Sequence, residues 1–377
     1  MVNGFLCRTS VAGKEKGSLV IVSLFRRILI PALCIFTLSF PQSQQYFYSG
    51  PRAGSEMMYN PVNLILNGSF DVLQFEGETK HLDMVRYRHA GNQVLYNLTR
   101  PIHVISRYGG LKFIRQELFP LSFSPTKMQW WPNYNLHLLG GGMTYVKMAE
   151  WYEYYGFDHP QYASLATMAV YHYLNEVVEM RNHTGDNVDP ISDVYIFDIG
   201  GILLFSSDNV KRFFSQTVVM SDWSGQPLFS LRDGTLSNNG QYFSFKWKIP
   251  SQNHWHLFYL SGVEGILGLS YRKDDGTSIS AAAGMVGSRR NTMDRKTFEQ
   301  SLSLQWRAGL FYDRDNSLLA SLYISGLPSE MAKLNVYPGY VAFSGISFGG
   351  VVSFSRRGDA TVGLTMNWFP GISLSTN

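Results

Sequence analysis

Apolar and polar residues alternate from about Thr217 onward, and this alternation constrains the 377-residue chain more than any other feature. In Tyr242–Lys248, for example, Phe243, Phe245 and Trp247 fall on one face and the polar residues on the other. A period of two places successive side chains on opposite faces of a β-strand. The same rule holds in Glu299–Leu310, Ser317–Ser325 and Thr361–Phe369, and more weakly in His254–Leu260, Gly265–Tyr271 and Ser278–Met285. The pattern predicts about eight to ten antiparallel strands.

Short turn sequences separate these segments, as expected of hairpins. They are Ser251–Asn253, Asp274–Gly276, Asp313–Asn316 and Arg356–Asp359.

The composition favours a membrane barrel over a soluble sandwich for residues 216–377. Charged residues make up only 16% of the chain, against roughly 25% in ordinary soluble proteins, whereas aromatic residues reach 15%. The polar face is rich in Gly, Ser and Thr, which suits the narrow interior of a lipid-embedded barrel. Trp and Tyr also lie near strand ends, as in an interfacial girdle: Trp247, Trp255, Tyr259, Tyr271, Trp306, Tyr312 and Trp368. We predict an antiparallel transmembrane β-barrel in the outer membrane of a Gram-negative bacterium.

The N-terminal segment, residues 1–45, has the pattern of a signal peptide. Arg26-Arg27 precedes the apolar stretch Ile28–Phe40, which is shorter than the roughly 20 residues of a membrane-spanning helix. An N-terminal membrane anchor is the alternative. Cys7 and Cys34 both lie in this segment, so the rest of the chain has no disulfide to form after export.

Residues 46–215 show a period near 3.6 and predict a helical and loop region, so the fold class is mainly β with an α-helical N-terminal part. The predicted helices are Val94–Ile105 (interrupted at Pro101), Gly110–Phe119, Leu136–Tyr155, Gln161–Met180, Ile191–Phe205 and Asp208–Phe214.

One helix face in this region carries two imidazoles and two carboxylates. His172, Glu176, Glu179 and His183 are spaced at i, i+4, i+7 and i+11, which places them on one stripe. Such a stripe binds a transition metal or acts as a general acid and base, and the predicted metal ligands are His172, Glu176 and Glu179. A polar seam that pairs with neighbouring helices is the structural alternative.

A second carboxylate group follows at Asp189, Asp193 and Asp198. Asp189 before a proline predicts a helix cap, and Asp193 would lie in the first turn. Asp198 lies within an apolar run beside Gly200-Gly201, which permits close helix approach, so it needs a donor or must stay protonated. His137 is the partner that we predict for it. If the protein is an enzyme, the candidate catalytic residues are His137, Glu176, Glu179, Asp193 and Asp198.

An ordered set of features lies within roughly residues 130 to 215: Asn133 and Asn135, then Trp151, Tyr154 and Tyr155, then Glu176 and Glu179, then Asp189 and Asp193, then Gly200 and Gly201. In this order of features the chain resembles a bacterial family of exported proteins, known only as domain of unknown function 3943. More loosely, the order His137, Glu176, Arg181, Asp193, Gly201 is similar to that of VanZ-like and YfiM-like membrane-associated proteins. These resemblances imply an envelope location and paired helices, and they imply no reaction.

Several functional classes lack support in the sequence. There is no Gly-rich phosphate loop, no Gly-x-Ser-x-Gly elbow and no motif for a cofactor, and the scattered lysines and arginines (net charge +4) form no nucleic-acid footprint. The expected partner is outer-membrane lipid; a periplasmic or envelope partner is the second expectation, and the sequence does not identify it. We favour a structural or transport-type barrel protein. The alternatives are an envelope enzyme, which would be a lipid-modifying hydrolase or transferase, and a soluble periplasmic binding module.

Overall fold

The computed structural model describes residues 44–120, 131–294 and 299–376. Most of the predicted signal peptide, including Cys7 and Cys34, therefore lies outside the described residues. The α-helices are α1 Ser55–Met58, α2 Pro61–Ser69, α3 Tyr87–Thr99, α4 Pro101–Tyr108, α5 Gly110–Phe113, α6 Gly142–Tyr154, α7 Pro160–Met180, α8 Asp189–Ser192, α9 Ile199–Phe205 and α10 Asp208–Arg212. Wider π-helical turns occupy Ile114–Leu118, Trp131–Gly141, Asp193–Asp198 and Phe213–Thr217, and 3₁₀ turns occupy Asp71–Gln74 and Leu82–Met84.

The predicted helices are present, and proline and glycine set several of their ends. Pro101 begins α4 directly after α3 and Pro160 begins α7, as the fixed φ of proline at a first helical position favours. Gly156 has φ +77°, which is the left-handed conformation that ends a helix. The prediction that Asp189 caps its helix is wrong. α8 begins at Asp189, and the side chain of Asn187 accepts the hydrogen bond from the Asp189 N–H (3.1 Å).

All strands of the described residues belong to one thirteen-stranded sheet. The strands are β1 Met220–Asp222, β2 Leu228–Ser230, β3 Leu236–Ser237, β4 Phe243–Lys248, β5 Trp255–Ser261, β6 Glu264–Arg272, β7 Thr277–Asp294, β8 Glu299–Arg314, β9 Ser317–Ser325, β10 Ala332–Phe343, β11 Ile346–Phe354, β12 Ala360–Met366 and β13 Gly371–Ser375.

The ten strands β4 to β13 form an uninterrupted antiparallel meander, which confirms the predicted β-rich, hairpin-connected region. The count exceeds the predicted eight to ten because β1, β2 and β3 have only two or three residues each and are too short to show a period. The turn between β8 and β9 has positive φ at both Asp315 and Asn316, which matches the twist of a two-residue hairpin.

The sheet is not closed into a barrel by hydrogen bonds between strands. The two ends of the strand order are β1 and β3, and no pairing among the described residues joins them. One stretch nevertheless contacts both margins of the meander. In Met220–Ser230, the first residues pair with β4 (Met220 with Phe245) and the last pair with β13 (Ser230 with Ser373).

The two faces of the meander differ sharply in chemistry. One line of register partners crosses all ten strands and is apolar throughout; we call it the outer row: Trp247, Leu257, Leu269, Ala281, Leu310, Leu322, Leu334, Val352, Val362 and Leu374. Most of its large side chains are exposed. The adjacent line, the inner row, faces the other way and is mostly small or polar: His256, Ser270, Ser280, Phe311, Ser321, Asn335, Val351, Gly363 and Ser373. All members of the inner row except His256 are buried.

Buried charges and aromatic rings fill the face that carries the inner row. Lys246 Nζ lies 2.6 Å from Asp313 Oδ1, and Arg307 binds Glu264 at 2.6 Å and Glu330 at 2.7 Å. An apolar cluster on the same side includes Met58, Trp223, Phe258, Leu260, Ile266, Phe311, Leu318, Tyr323 and Tyr337. This interior is therefore packed, with its charges paired as burial requires.

The helical region contacts both faces. α1 lies on the inner side, where Ser55 Oγ donates to the Asp222 carbonyl and accepts from the Leu318 N–H. On the other side, Phe243 of β4 is fully buried because the helical core, including Phe205, covers it. Among the described residues no single helix is long and apolar enough to cross a membrane. One pair bent by 85°, Asp189–Phe205 with Asp208–Thr217, meets the length and composition criteria when joined.

Candidate His–Asp site

Two of the π-helical turns and α7 carry a group of four buried side chains that we call the His–Asp group: His137, His172, Asp193 and Asp198. His137 lies in Trp131–Gly141, and both aspartates lie in Asp193–Asp198. π-helical turns are rare and are frequent at functional sites.

Glycines allow these turns to approach each other, as the Gly200-Gly201 pair predicted. A Cβ at Gly201 would lie 2.4 Å from the Leu138 carbonyl oxygen, and one at Gly142 would lie 2.6 Å from the Gly201 carbonyl oxygen. Since backbone atoms cannot yield as a side chain does, only glycine permits this separation. The close contact holds His137 next to Asp198.

The distances within the group link it into one network. His137 Nδ1 lies 3.0 Å from Asp198 Oδ1, which confirms the predicted pairing, and its Nε2 lies 3.4 Å from Asp193 Oδ2. His172 Nδ1 lies 3.1 Å from Asp198 Oδ2. One ligand atom each from His137, His172 and Asp198 fits within 4.8 Å of the other two, close enough to hold one metal ion.

The hydrogen bonding of this group is incomplete. The His172–Asp198 contact is not aligned as a hydrogen bond, so neither ring nitrogen of His172 has a hydrogen-bond partner, nor does Asp198 Oδ2. His172 is only 5% exposed. Buried polar groups are nearly always paired, and each unpaired one costs about 1–3 kcal/mol.

The pKa values of the two imidazoles are shifted in opposite directions. Burial lowers the pKa of His137, but Asp193 and Asp198 outweigh it and raise that pKa to about 10. Burial is also the largest effect at His172; Asp198 opposes it only in part, and the pKa falls to about 4. Burial raises the pKa of Asp193 to about 7, against the effect of His137.

Glu176 and Glu179, predicted as metal ligands and catalytic residues, lie outside the three-residue metal-binding group. Glu179 Oε2 instead pairs with Arg290 of β7 at 3.3 Å. Glu176 is buried, and its pKa is raised well above the usual value by burial and then by Asp193 and Asp189. α7 ends at Met180 and Arg181 has φ 52°, so the helical stripe does not continue to His183.

Sequence reasoning missed the contact between His172 and Asp198. Its two residues come from separate helical segments, so no spacing within one helix could reveal it. Gly141 was also missed as part of the site. A Cβ there would lie 3.5 Å from Asp198 Oδ1 and 3.8 Å from His172 Nε2, so glycine leaves space beside the group.

A second polar region lies at the inner side of the sheet. A cavity of about 100 Å³ is lined there by Lys80, Arg307, Glu330 and Lys333 among others. Glu330 binds both Arg307 and Lys333, and Arg307 also binds Glu264, so Arg307 and Lys333 are both paired with carboxylates.

No family model, no curated protein and no solved structure matches this chain.

Proposed function

We propose that the protein is an integral β-barrel protein of a Gram-negative outer membrane, in which the helical segment packs in and against the barrel and fills it. The role is structural: the barrel fixes the helical segment, with its His–Asp group, at the membrane.

The outer row is the observation that carries this proposal. In a soluble sheet the exposed face is polar and the apolar face forms the core. Here a line of ten apolar residues includes many exposed side chains, while serines and ion pairs lie buried on the opposite face. Large contiguous apolar surface in contact with water is rare in monomers, and a barrel in lipid has this outward distribution.

The dimensions and the margins of the sheet support the same proposal. A tilted strand needs about 9–11 residues to cross a membrane. The six strands β6 to β11 have 9 to 18 residues, and the outer four, β4, β5, β12 and β13, have 5 to 7. The stretch Met220–Ser230 bonds to both margins of the meander, which supplies a route to closure without a free edge.

A structural role is favoured over an open pore because the inner side is packed. Met58 from the helical segment lies among Trp223, Phe258 and Phe311 on that side, and the charged side chains there are paired with one another. Membership of the unknown-function family 3943 stays a prediction; the envelope location that it implies is the one proposed here.

Expression in a Gram-negative host followed by membrane fractionation tests the proposal. We expect the chain in the outer-membrane fraction, resistant to alkaline and urea washes, and migrating faster on a gel when unboiled than when boiled. The boiled sample is the control for the folded barrel. A chain that stays in solution as a compact monomer without detergent would contradict the proposal.

A further inference from the structure

We propose that His137, His172 and Asp198 bind one divalent first-row transition ion, and that Asp193 orients His137 as a ligand. This inference goes beyond the proposed membrane role and does not depend on it.

The three donors have the chemistry and the spacing of such a site. Two ligands at about 2.0–2.1 Å from a tetrahedral ion lie about 3.3 Å apart. Asp198 Oδ1 lies 3.0 Å from His137 Nδ1 and Asp198 Oδ2 lies 3.1 Å from His172 Nδ1, and one donor atom from each of the three residues lies within 4.8 Å of the other two. Two imidazoles and one carboxylate suit Zn²⁺ or Fe²⁺ rather than Mg²⁺ or Ca²⁺, which prefer oxygen ligands alone.

An ion would give a partner to Asp198 Oδ2 and to one ring nitrogen of His172, which lack hydrogen bonds. Both ring nitrogens of His172 and Asp198 Oδ2 are buried without a hydrogen-bond partner, and neutral imidazole offers a lone pair that a metal ion accepts.

Asp193 is placed to accept a hydrogen bond from the ring nitrogen of His137 that does not face Asp198. Its Oδ2 lies 3.4 Å from Nε2 of His137, on the side of the ring away from Asp198. Metal-bound histidines almost always donate their second ring N–H to such a group, which fixes the ring orientation. Gly141 adds no side chain beside Asp198 and His172.

Metal binding by the purified full chain tests the site directly. After removal of metal with EDTA, Zn²⁺ is titrated against a competing fluorescent chelator, and Co²⁺ is used as a spectroscopic probe. We expect about one Zn²⁺ per chain, as three protein ligands around a single ion require. The Co²⁺-loaded protein should show the visible bands of a low-symmetry nitrogen and oxygen site.

Four variants separate the roles. His172→Gln and Asp198→Asn should lose stoichiometric Zn²⁺ binding and the Co²⁺ bands. Asp193→Asn should weaken Zn²⁺ binding by about 10–100-fold, as does the loss of a residue that hydrogen-bonds to a metal-bound histidine. The control is His103→Gln, the same substitution at an exposed histidine of α4, and it should bind as the parent does.

The proposal is wrong if the EDTA-treated parent binds far less than one Zn²⁺ per chain, or if His172→Gln binds as tightly as His103→Gln. If His172→Gln does not fold, X-ray absorption of the Zn²⁺-loaded parent decides. Scattering from two imidazoles supports the site, and its absence overturns it. Because none of these measurements involves a bilayer, failure here leaves the membrane proposal intact.

Discussion

Replacing Leu310 by arginine distinguishes a lipid-facing sheet from a water-facing one. Leu310 is 53% exposed, lies in the outer row, and is flanked on β8 by Trp306 and Tyr312. On a surface in water, such a change usually alters the free energy of unfolding by no more than about 0.5 kcal/mol. On the lipid face near the midplane, an arginine costs about 2–4 kcal/mol. The lower value alone corresponds to about a 30-fold change in the folding equilibrium.

Unfolding by guanidinium in phospholipid vesicles, followed by tryptophan fluorescence, measures this cost. The matched control is Leu231→Arg, because Leu231 is 61% exposed but lies in the turn after β2. We expect Leu310→Arg to lose at least about 2 kcal/mol and Leu231→Arg to lose much less. Equal, small effects of the two substitutions would refute the inference that the outer row faces lipid.

Three further predictions concern the interior and the helices. Lys246→Ala should lower the free energy of unfolding, measured in denaturant, by about 3–5 kcal/mol, because it leaves Asp313 buried and unpaired. The double variant Lys246→Met/Asp313→Leu should recover most of that loss. Gly201→Ala should cost about 1–3 kcal/mol through its clash with a backbone carbonyl, whereas Gly200→Ala meets only a side chain and should cost less. Burial, and then a nearby carboxylate, raises the pKa of Asp71 to about 7, from about 3.9 unfolded. The contribution of Asp71 to the free energy of unfolding is therefore complete below about pH 4 and is lost as pH rises through 7. The free energy of unfolding of Asp71→Asn should vary less with pH over that range than that of the parent.

The sequence predicted the sheet and its faces well because a period of two is a local property. Trp247 and Leu257 share a face in the structure as the alternation required. The contacts inside the packed interior could not be predicted in the same way, because the pairs Lys246–Asp313 and Arg307–Glu264 join strands far apart in the chain. Their partners follow only from the register of the whole sheet.

The candidate site was predicted in part. The buried position of Asp198 demanded a donor, and His137 supplies it. The metal set was expected along α7, at His172, Glu176 and Glu179, because spacing along the sequence shows only which residues of one helix share a face. The structure instead joins His172 to residues of two other helical segments.

Spin-label accessibility along β6 tests the central claim most directly. Single cysteines are placed at positions 266, 267, 269 and 270 on a background with Cys7 and Cys34 replaced by serine, and the protein is reconstituted in vesicles. We predict that labels at Leu267 and Leu269 collide with oxygen dissolved in lipid and not with a water-soluble nickel reagent, while labels at Ile266 and Ser270 are shielded from both. Contact of the nickel reagent with Leu267 and Leu269 would contradict it.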